Sequence, residues 1–167
     1  MTAFTASREA HAVVDAPREA IWAVLTDPPR LASLVPFLRT IEAVDEHHWR
    51  WEMSGLKVAG LDIAPTFTER MELTPPERLE FHHEPPAGVT ERAGVTGWYE
   101  LTALEPAADG TERTALATGL DITVELPLPG LARRTVETTM RGVIAQMGDR
   151  FAANLLRELG LPPGSAA

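Results

Sequence analysis

Three polar side chains stand among apolar ones in the strand-like middle of the chain: Glu69, His83 and Tyr99. Side chains alternate across a strand, so residues two apart share a face. On that rule the run 65–74 groups Phe67, Glu69, Met71 and Leu73, and 78–84 groups Leu79, Phe81 and His83. The run 94–104 groups Val95, Gly97, Tyr99 and Leu101, and 48–54 groups Trp49, Trp51 and Met53. A carboxylate and an imidazole enclosed by such walls can act as general acid and base, because burial and mutual interaction tune their proton affinities. An apolar pocket with a few convergent polar groups is the usual make-up of a small-molecule site. Each of the three also has a structural reading. Glu69 can sit at the wet end of the sheet or face a basic side chain. His83, just before Glu84-Pro85-Pro86, can reach solvent at a strand end, and Tyr99 can pack as a core aromatic with one satisfied hydroxyl. The residues alone leave both readings open.

Other chemistry finds little support. The chain has no cysteine, which removes disulfides, thiolate metal sites and cysteine nucleophiles. His47-His48 and His82-His83 are adjacent pairs, and neighbours on a strand point to opposite faces. No HExxH spacing, Gly-x-Ser-x-Gly elbow, Walker loop or dinucleotide fingerprint occurs, so neither metal nor cofactor is expected. Gly55 and Gly60 read as bends. Fifteen basic against twenty-four acidic residues give a formal charge of −9, which repels phosphates and opposes nonspecific nucleic-acid binding. No apolar run is long enough to span a membrane, and the N-terminus lacks a signal-peptide pattern. The expectation is a cytoplasmic protein that is not an integral membrane protein, with peripheral membrane contact left open. Oligomeric state is not set by these features.

The elements that would position these residues are legible from punctuation and period. Residues 4–14 read as a strand. Pro17 then opens a helix with Ile21, Val24 and Leu25 on one face, and Asp27-Pro28-Pro29 opens a second with Leu31, Leu34 and Val35. Strand-like runs follow near 40–46, 48–54, 65–74, 78–84, 94–104 and 113–126. Their breaks carry turn residues such as Pro75-Pro76, Pro85-Pro86-Ala87-Gly88 and Ala108-Asp109-Gly110. Hairpin-like breaks at regular spacing predict an antiparallel sheet. The last run is the clearest, with Leu116, Thr118, Leu120, Ile122, Val124 and Leu126 on one face. After Pro129-Gly130 the period becomes helical to about Leu159, with Val136, Met140, Val143, Ile144, Met147, Phe151, Leu155 and Leu159 in one stripe. That stripe serves equally as core or as the wall of an adaptable pocket.

The stretch Val13–Val44 and the order strand, two helices, six strands, long helix resemble the START-like helix-grip (SRPBCC) superfamily. Gly97-Trp98-Tyr99-Glu100-Leu101 followed by Asp109-Gly110-Thr111 resembles its late hairpin. The superfamily includes polyketide cyclases, coenzyme Q-binding proteins and the carbon monoxide dehydrogenase-associated G subunit. Ser54–Gly60 and Leu128-Pro129-Gly130 resemble that last branch, which supplies no catalytic residue to carry over. The resemblance implies an α+β helix-grip fold, a curved antiparallel sheet of about seven strands wrapped around a long C-terminal helix. Two short helices follow the first strand. Residues 1–160 form one domain on this reading and 161–167 a flexible tail.

The cavity between sheet and helix then carries the function. The expected function is noncatalytic binding of a hydrophobic small molecule: a lipid, an isoprenoid quinone or a polyketide-like compound. The expected lining is Trp51, Phe67, Glu69, Met71, Phe81, His83, Tyr99 and Leu101 on the sheet, with Met140, Ile144 and Met147 on the helix. One alternative is a polyketide cyclase, aromatase or dehydratase-like enzyme in which Glu69, His83 or Tyr99 moves protons. Another is a protein adaptor that recruits a partner to a membrane or quinone pool.

Overall fold

Alternating strands separated by tight turns assemble into one seven-stranded antiparallel sheet in the computed structural model, which describes residues 1–164. Its strands are β1 (Thr2–Val14), β2 (Leu38–Ala43), β3 (His48–Met53), β6 (Thr66–Thr74), β7 (Arg78–His83), β8 (Ala93–Leu104) and β9 (Arg113–Leu126), the numbers β4 and β5 belonging to a small hairpin between β3 and β6. They lie in the order β1-β9-β8-β7-β6-β3-β2. The first strand pairs with the last over its whole length, from Thr2 opposite Leu126 to Val14 opposite Thr114. The helices α1 (Arg18–Leu25) and α2 (Pro28–Ala32) connect the two outermost strands, and the long helix α3 (Arg133–Glu158) follows a short 3-10 turn at Gly130–Ala132. This is the helix-grip architecture.

The two early helices form where the punctuation places them. Pro17 precedes α1, whose Ile21, Val24 and Leu25 are buried. At α2 the Asp27 carboxylate accepts from the Arg30 amide at 3.2 Å, capping a helix that opens on two prolines. Together they close one end of the sheet. Ile21 and Leu25 pack there with Trp49, Met71, Leu79, Phe81, Leu101 and Leu156.

A second cluster lies at the other end, around Phe4, Met53, Phe67, Val124, Val136, Met140 and Ile144. It includes an element that the sequence reading takes for bends alone. Leu56–Val58 (β4) and Leu61–Ile63 (β5) form a separate two-stranded hairpin. Ala59 and Gly60 turn it with φ of 50° and 83°, the left-handed pair that suits a two-residue hairpin turn. Three-residue strands carry too few positions for an alternation signal, which is why the hairpin is not apparent beforehand. Its Val58 is buried in the second cluster.

Helix α3 spans the interval between the clusters. Val136, Met140 and Ile144 are buried near its start, and Leu155 and Leu156 near its end. Met147 and Phe151, on the same stripe, are only half-buried. The helix ends in a left-handed Gly160 (φ 71°), and the Leu161 amide returns to the Leu156 carbonyl at 2.8 Å, a pattern that satisfies terminal carbonyls. Leu161 thus packs onto the first cluster. Of the segment expected to be a flexible tail, residues 165–167 lie outside the described residues. No helix among the described residues is long and apolar enough to cross a membrane.

Candidate functional site

The half-buried middle of α3 faces a cavity of about 380 Å³ between the helix and the sheet. Its sheet wall includes Trp51 on β3, Phe67, Glu69 and Met71 on β6, Phe81 on β7 and Tyr99 on β8. Met140, Ile144 and Met147 line it from the helix. These are nine of the eleven positions expected from alternation and helical spacing. Leu56, Val58 and Ile63 of the hairpin cover one end, and Leu25, Leu31 and Val35 approach from the other. The exposed lining residues His11, Asp149 and Ala152 lie on β1 and α3, which places an opening between those elements.

Close backbone approach keeps the floor flat. A Cβ on Gly97 would lie 2.2 Å from the Gly119 carbonyl oxygen and 2.8 Å from the Phe81 ring. Glycine at this position lets the Phe81 ring lie over β8.

Two expected residues are not in the lining. Leu101 is 2% exposed and packs in the cluster that contains Ile21 and Leu25, so α1 covers it. His83 stands opposite Glu69 in register, yet its ring lies against Gly94 and its Nε2 is 2.9 Å from a Glu91 carboxylate oxygen. The reason is that β7 ends at His83. Beyond it, the loop carboxylate of Glu91 accepts from the Thr68 amide at 2.8 Å and the Thr68 hydroxyl at 2.7 Å. The same carboxylate engages the imidazole. His83 therefore belongs to a clasp that closes the end of β6, and the pairing of Glu69 with His83 as acid and base inside one cavity is not formed.

Glu69 and Tyr99 do share the cavity. Glu69 is 2% exposed, and burial pushes its carboxyl well above the ordinary carboxylate range. The Trp51 indole offsets part of that rise but misses hydrogen-bond geometry. Among the described residues, Trp51 Nε1 and Glu69 Oε2 are both buried without a hydrogen-bond partner. The indole is held by stacking on Phe67, ring centroids 6.0 Å apart and planes 9° from parallel. Burial pushes the Tyr99 hydroxyl up to about 12, against the opposing effect of the neighbouring Thr118 hydroxyl, and a charge on Glu69 adds to the rise. Tyr99 and Thr118 are cross-strand partners, and the Thr118 hydroxyl donates to the Trp98 carbonyl at 2.9 Å. Thr118 is a site residue the sequence reading passes over. Its signal is there, as a hydroxyl in the middle of the otherwise apolar inward run Leu116, Leu120, Ile122, Val124 and Leu126.

Away from Arg8, His11 and Asp149 at the opening, the polar content of an otherwise apolar chamber is thus a carboxyl whose proton affinity burial raises, an indole N–H and a phenol beside a threonine. Such a set can orient a ligand oxygen and can move a proton at it. A second concavity of about 340 Å³ is lined by Ser7, Glu9, Glu80, His82, Thr96, Trp98 and Asp121. The Arg78 guanidinium lies 5.1 Å from the Trp98 ring centroid, and charged and polar side chains outnumber the apolar Trp98 and Leu120 in this lining.

Sheet, helix and enclosed cavity define a helix-grip protein. The comparisons give its family: residues 1–159 match the family described as polyketide cyclase / dehydrase and lipid transport, and the chain belongs to it. No curated protein matches the chain. Among solved structures, a START superfamily protein from Mycobacterium smegmatis is similar with a TM-score of 0.63 at 14% identity, covering 90% of this chain and 97% of that one. A conserved protein from Geobacillus kaustophilus gives a TM-score of 0.65 at 15% identity, covering 92% and 95%. The Zhui aromatase/cyclase from Streptomyces sp. R1128 gives 0.61 at 20% identity, also covering 92% and 95%. At these identities the likeness is one of fold.

Proposed function

We propose that this protein binds a hydrophobic small molecule, a lipid, isoprenoid quinone or polyketide-like compound, in the cavity between the sheet and α3. The observation that supports this most is the position of the void. It lies where the apolar stripe of the long helix would otherwise complete the core, and its volume of about 380 Å³ falls in the range of small-molecule pockets. The reading takes residues 1–160 as one domain acting in the cytoplasm. Extraction of the purified protein followed by untargeted mass spectrometry tests it. The expected result is a stoichiometric apolar compound, lost when Met147 is replaced by tryptophan. A chain that carries no such compound and takes up no hydrophobic probe overturns the reading.

One observation favours a second reading, a cyclase or dehydratase activity. Glu69, whose proton affinity is raised by burial, and Tyr99 border the same apolar space, where a carboxylic acid can give and retake a proton. Conversion of a polyketide-like substrate that is abolished by Glu69→Gln, with binding retained, would establish it over simple binding.

A further inference from the structure

The unpaired atoms in the cavity indicate which part of a ligand they receive. Trp51 Nε1 carries a proton and no lone pair to offer, so only an acceptor can satisfy it. Stacking on Phe67 holds the indole, which cannot turn its N–H to solvent without breaking that contact. Glu69 Oε2 lies buried beside it, on a residue 2% exposed, and is also unpaired. A buried donor and a buried acceptor left unmade are each costly, whereas apolar side chains in their place would not be. Tyr99 differs from this pair because its hydroxyl already has Thr118 beside it.

Resting on the ligand-binding reading above, we infer that the cavity selects an apolar molecule carrying one uncharged oxygen function, a carbonyl or a hydroxyl. That oxygen accepts from Trp51 Nε1 and hydrogen-bonds the Glu69 carboxyl. The charged alternatives fit poorly. An ammonium group has no lone pair for the indole N–H. A carboxylate would need a counter-charge, and among the lining residues the arginine is Arg8, whose guanidinium reaches toward Asp149 at 3.5 Å beside the opening. A neutral oxygen satisfies the indole in either form. A carbonyl accepts from the Glu69 carboxyl in its acid form, and a hydroxyl donates to its unpaired oxygen in either form.

A matched set of naphthalenes substituted at the same ring carbon tests this by calorimetric titration. The set is acetonaphthone with its hydrocarbon isostere isopropenylnaphthalene, naphthol with methylnaphthalene, and the charged naphthoate and naphthylmethylammonium. Wild-type protein is expected to bind each neutral oxygen compound about tenfold or more tighter than its hydrocarbon isostere. Trp51→Phe keeps a ring against Phe67 but removes the N–H, and is expected to erase that advantage. Glu69→Leu is expected to erase it as well, and Glu69→Gln, whose amide can donate and accept, to restore most of it. Circular dichroism of each variant checks the fold, and the two positions give independent tests. Equal binding of oxygen compounds and hydrocarbons by wild type overturns the inference while leaving the ligand-binding reading in place. So does tightest binding of a charged member, or an undiminished advantage in folded Trp51→Phe. Failure of every member to bind, hydrocarbons included, overturns the ligand-binding reading and this inference with it.

Discussion

The Arg8 guanidinium lies across Gly148 of α3, close enough that a Cβ there would sit 3.4 Å from Arg8 Cζ. A strand side chain thereby crosses the helix at a residue that offers no side chain to meet it, beside the opening of the cavity. A distance of 3.4 Å is ordinary contact, and Gly148 lies in regular helix. Gly148→Ala is therefore expected to stabilise the protein by up to about 1 kcal/mol through helix propensity, with Arg8 shifting slightly. Gly142→Ala, where a Cβ meets nothing within 4 Å, is the reference. Chemical denaturation should show both variants more stable than wild type. A loss of stability in Gly148→Ala alone would mean that the Arg8 crossing tolerates no methyl group.

The clasp around Glu91 gives a second expectation. Its carboxylate satisfies the Thr68 amide and hydroxyl, and Thr68 is 3% exposed. Glu91→Ala leaves both groups unpaired in a buried setting and is expected to destabilise the fold by about 2–6 kcal/mol, at roughly 1–3 kcal/mol per orphaned group. His83→Asn removes one partner of that carboxylate from a partly exposed position, so a smaller loss is expected. Probe uptake at saturating concentration should be unchanged in folded His83→Asn, because the imidazole lies outside the lining. Loss of uptake there would return His83 to the cavity.

His83 also shows where local pattern stops being informative. Alternation puts Trp51, Phe67, Glu69, Met71, Phe81 and Tyr99 on one face because a regular strand has no choice about which side its residues take. His83 obeys the same count but is the last residue of β7, where a loop carboxylate eight residues later in the chain captures it. Leu101 keeps the expected face as well. Its exclusion depends on where α1 lands, a tertiary outcome that strand period does not encode. The hairpin Leu56–Ile63 is too short to show a period, and its turn rests on Ala59, a residue type with no preference for positive φ. On α3, spacing identifies Met147 and Phe151 as inward but cannot say that the space before them is empty.

Glu69 links the cavity to pH. Its carboxyl is raised in the folded chain from an ordinary value of 4.5 by burial. Below that value both folded and unfolded chains hold the proton, and the full contribution to stability is present. As pH rises above it, the unfolded chain ionises while the folded one does not. Stability then falls by up to about 1.4 kcal/mol per pH unit until Glu69 ionises in the fold. Glu69→Gln has no proton to lose. The melting temperature of Glu69→Gln relative to wild type is expected to rise as pH increases above the ordinary value of 4.5, and to level off once Glu69 ionises in the fold. A difference that stays flat as pH rises would show that the carboxyl is solvated or paired with a cation in solution.

Filling the void distinguishes a ligand chamber from a loosely drawn core, and the choice of position decides whether the test is clean. Gly97 faces the cavity by alternation, but a side chain there collides with the Gly119 backbone carbonyl at 2.2 Å, which cannot yield as a flexible side chain can. Gly97→Leu is therefore expected to lose well over 1–3 kcal/mol, roughly the strain of ordinary overpacking, and to say nothing about ligand. Met147 is the better position, half-buried on α3 with its side chain already in the lining. Tryptophan there has open volume to enter, so Met147→Trp should keep a melting temperature close to wild type and lose uptake of a hydrophobic fluorescent probe by about tenfold. Ala117→Trp, one residue from Thr118 and so on the opposite face of β9, should leave uptake unchanged. Two results would count against an open chamber: severe destabilisation by Met147→Trp, which marks a closed core, or a stable variant that binds the probe as wild type does.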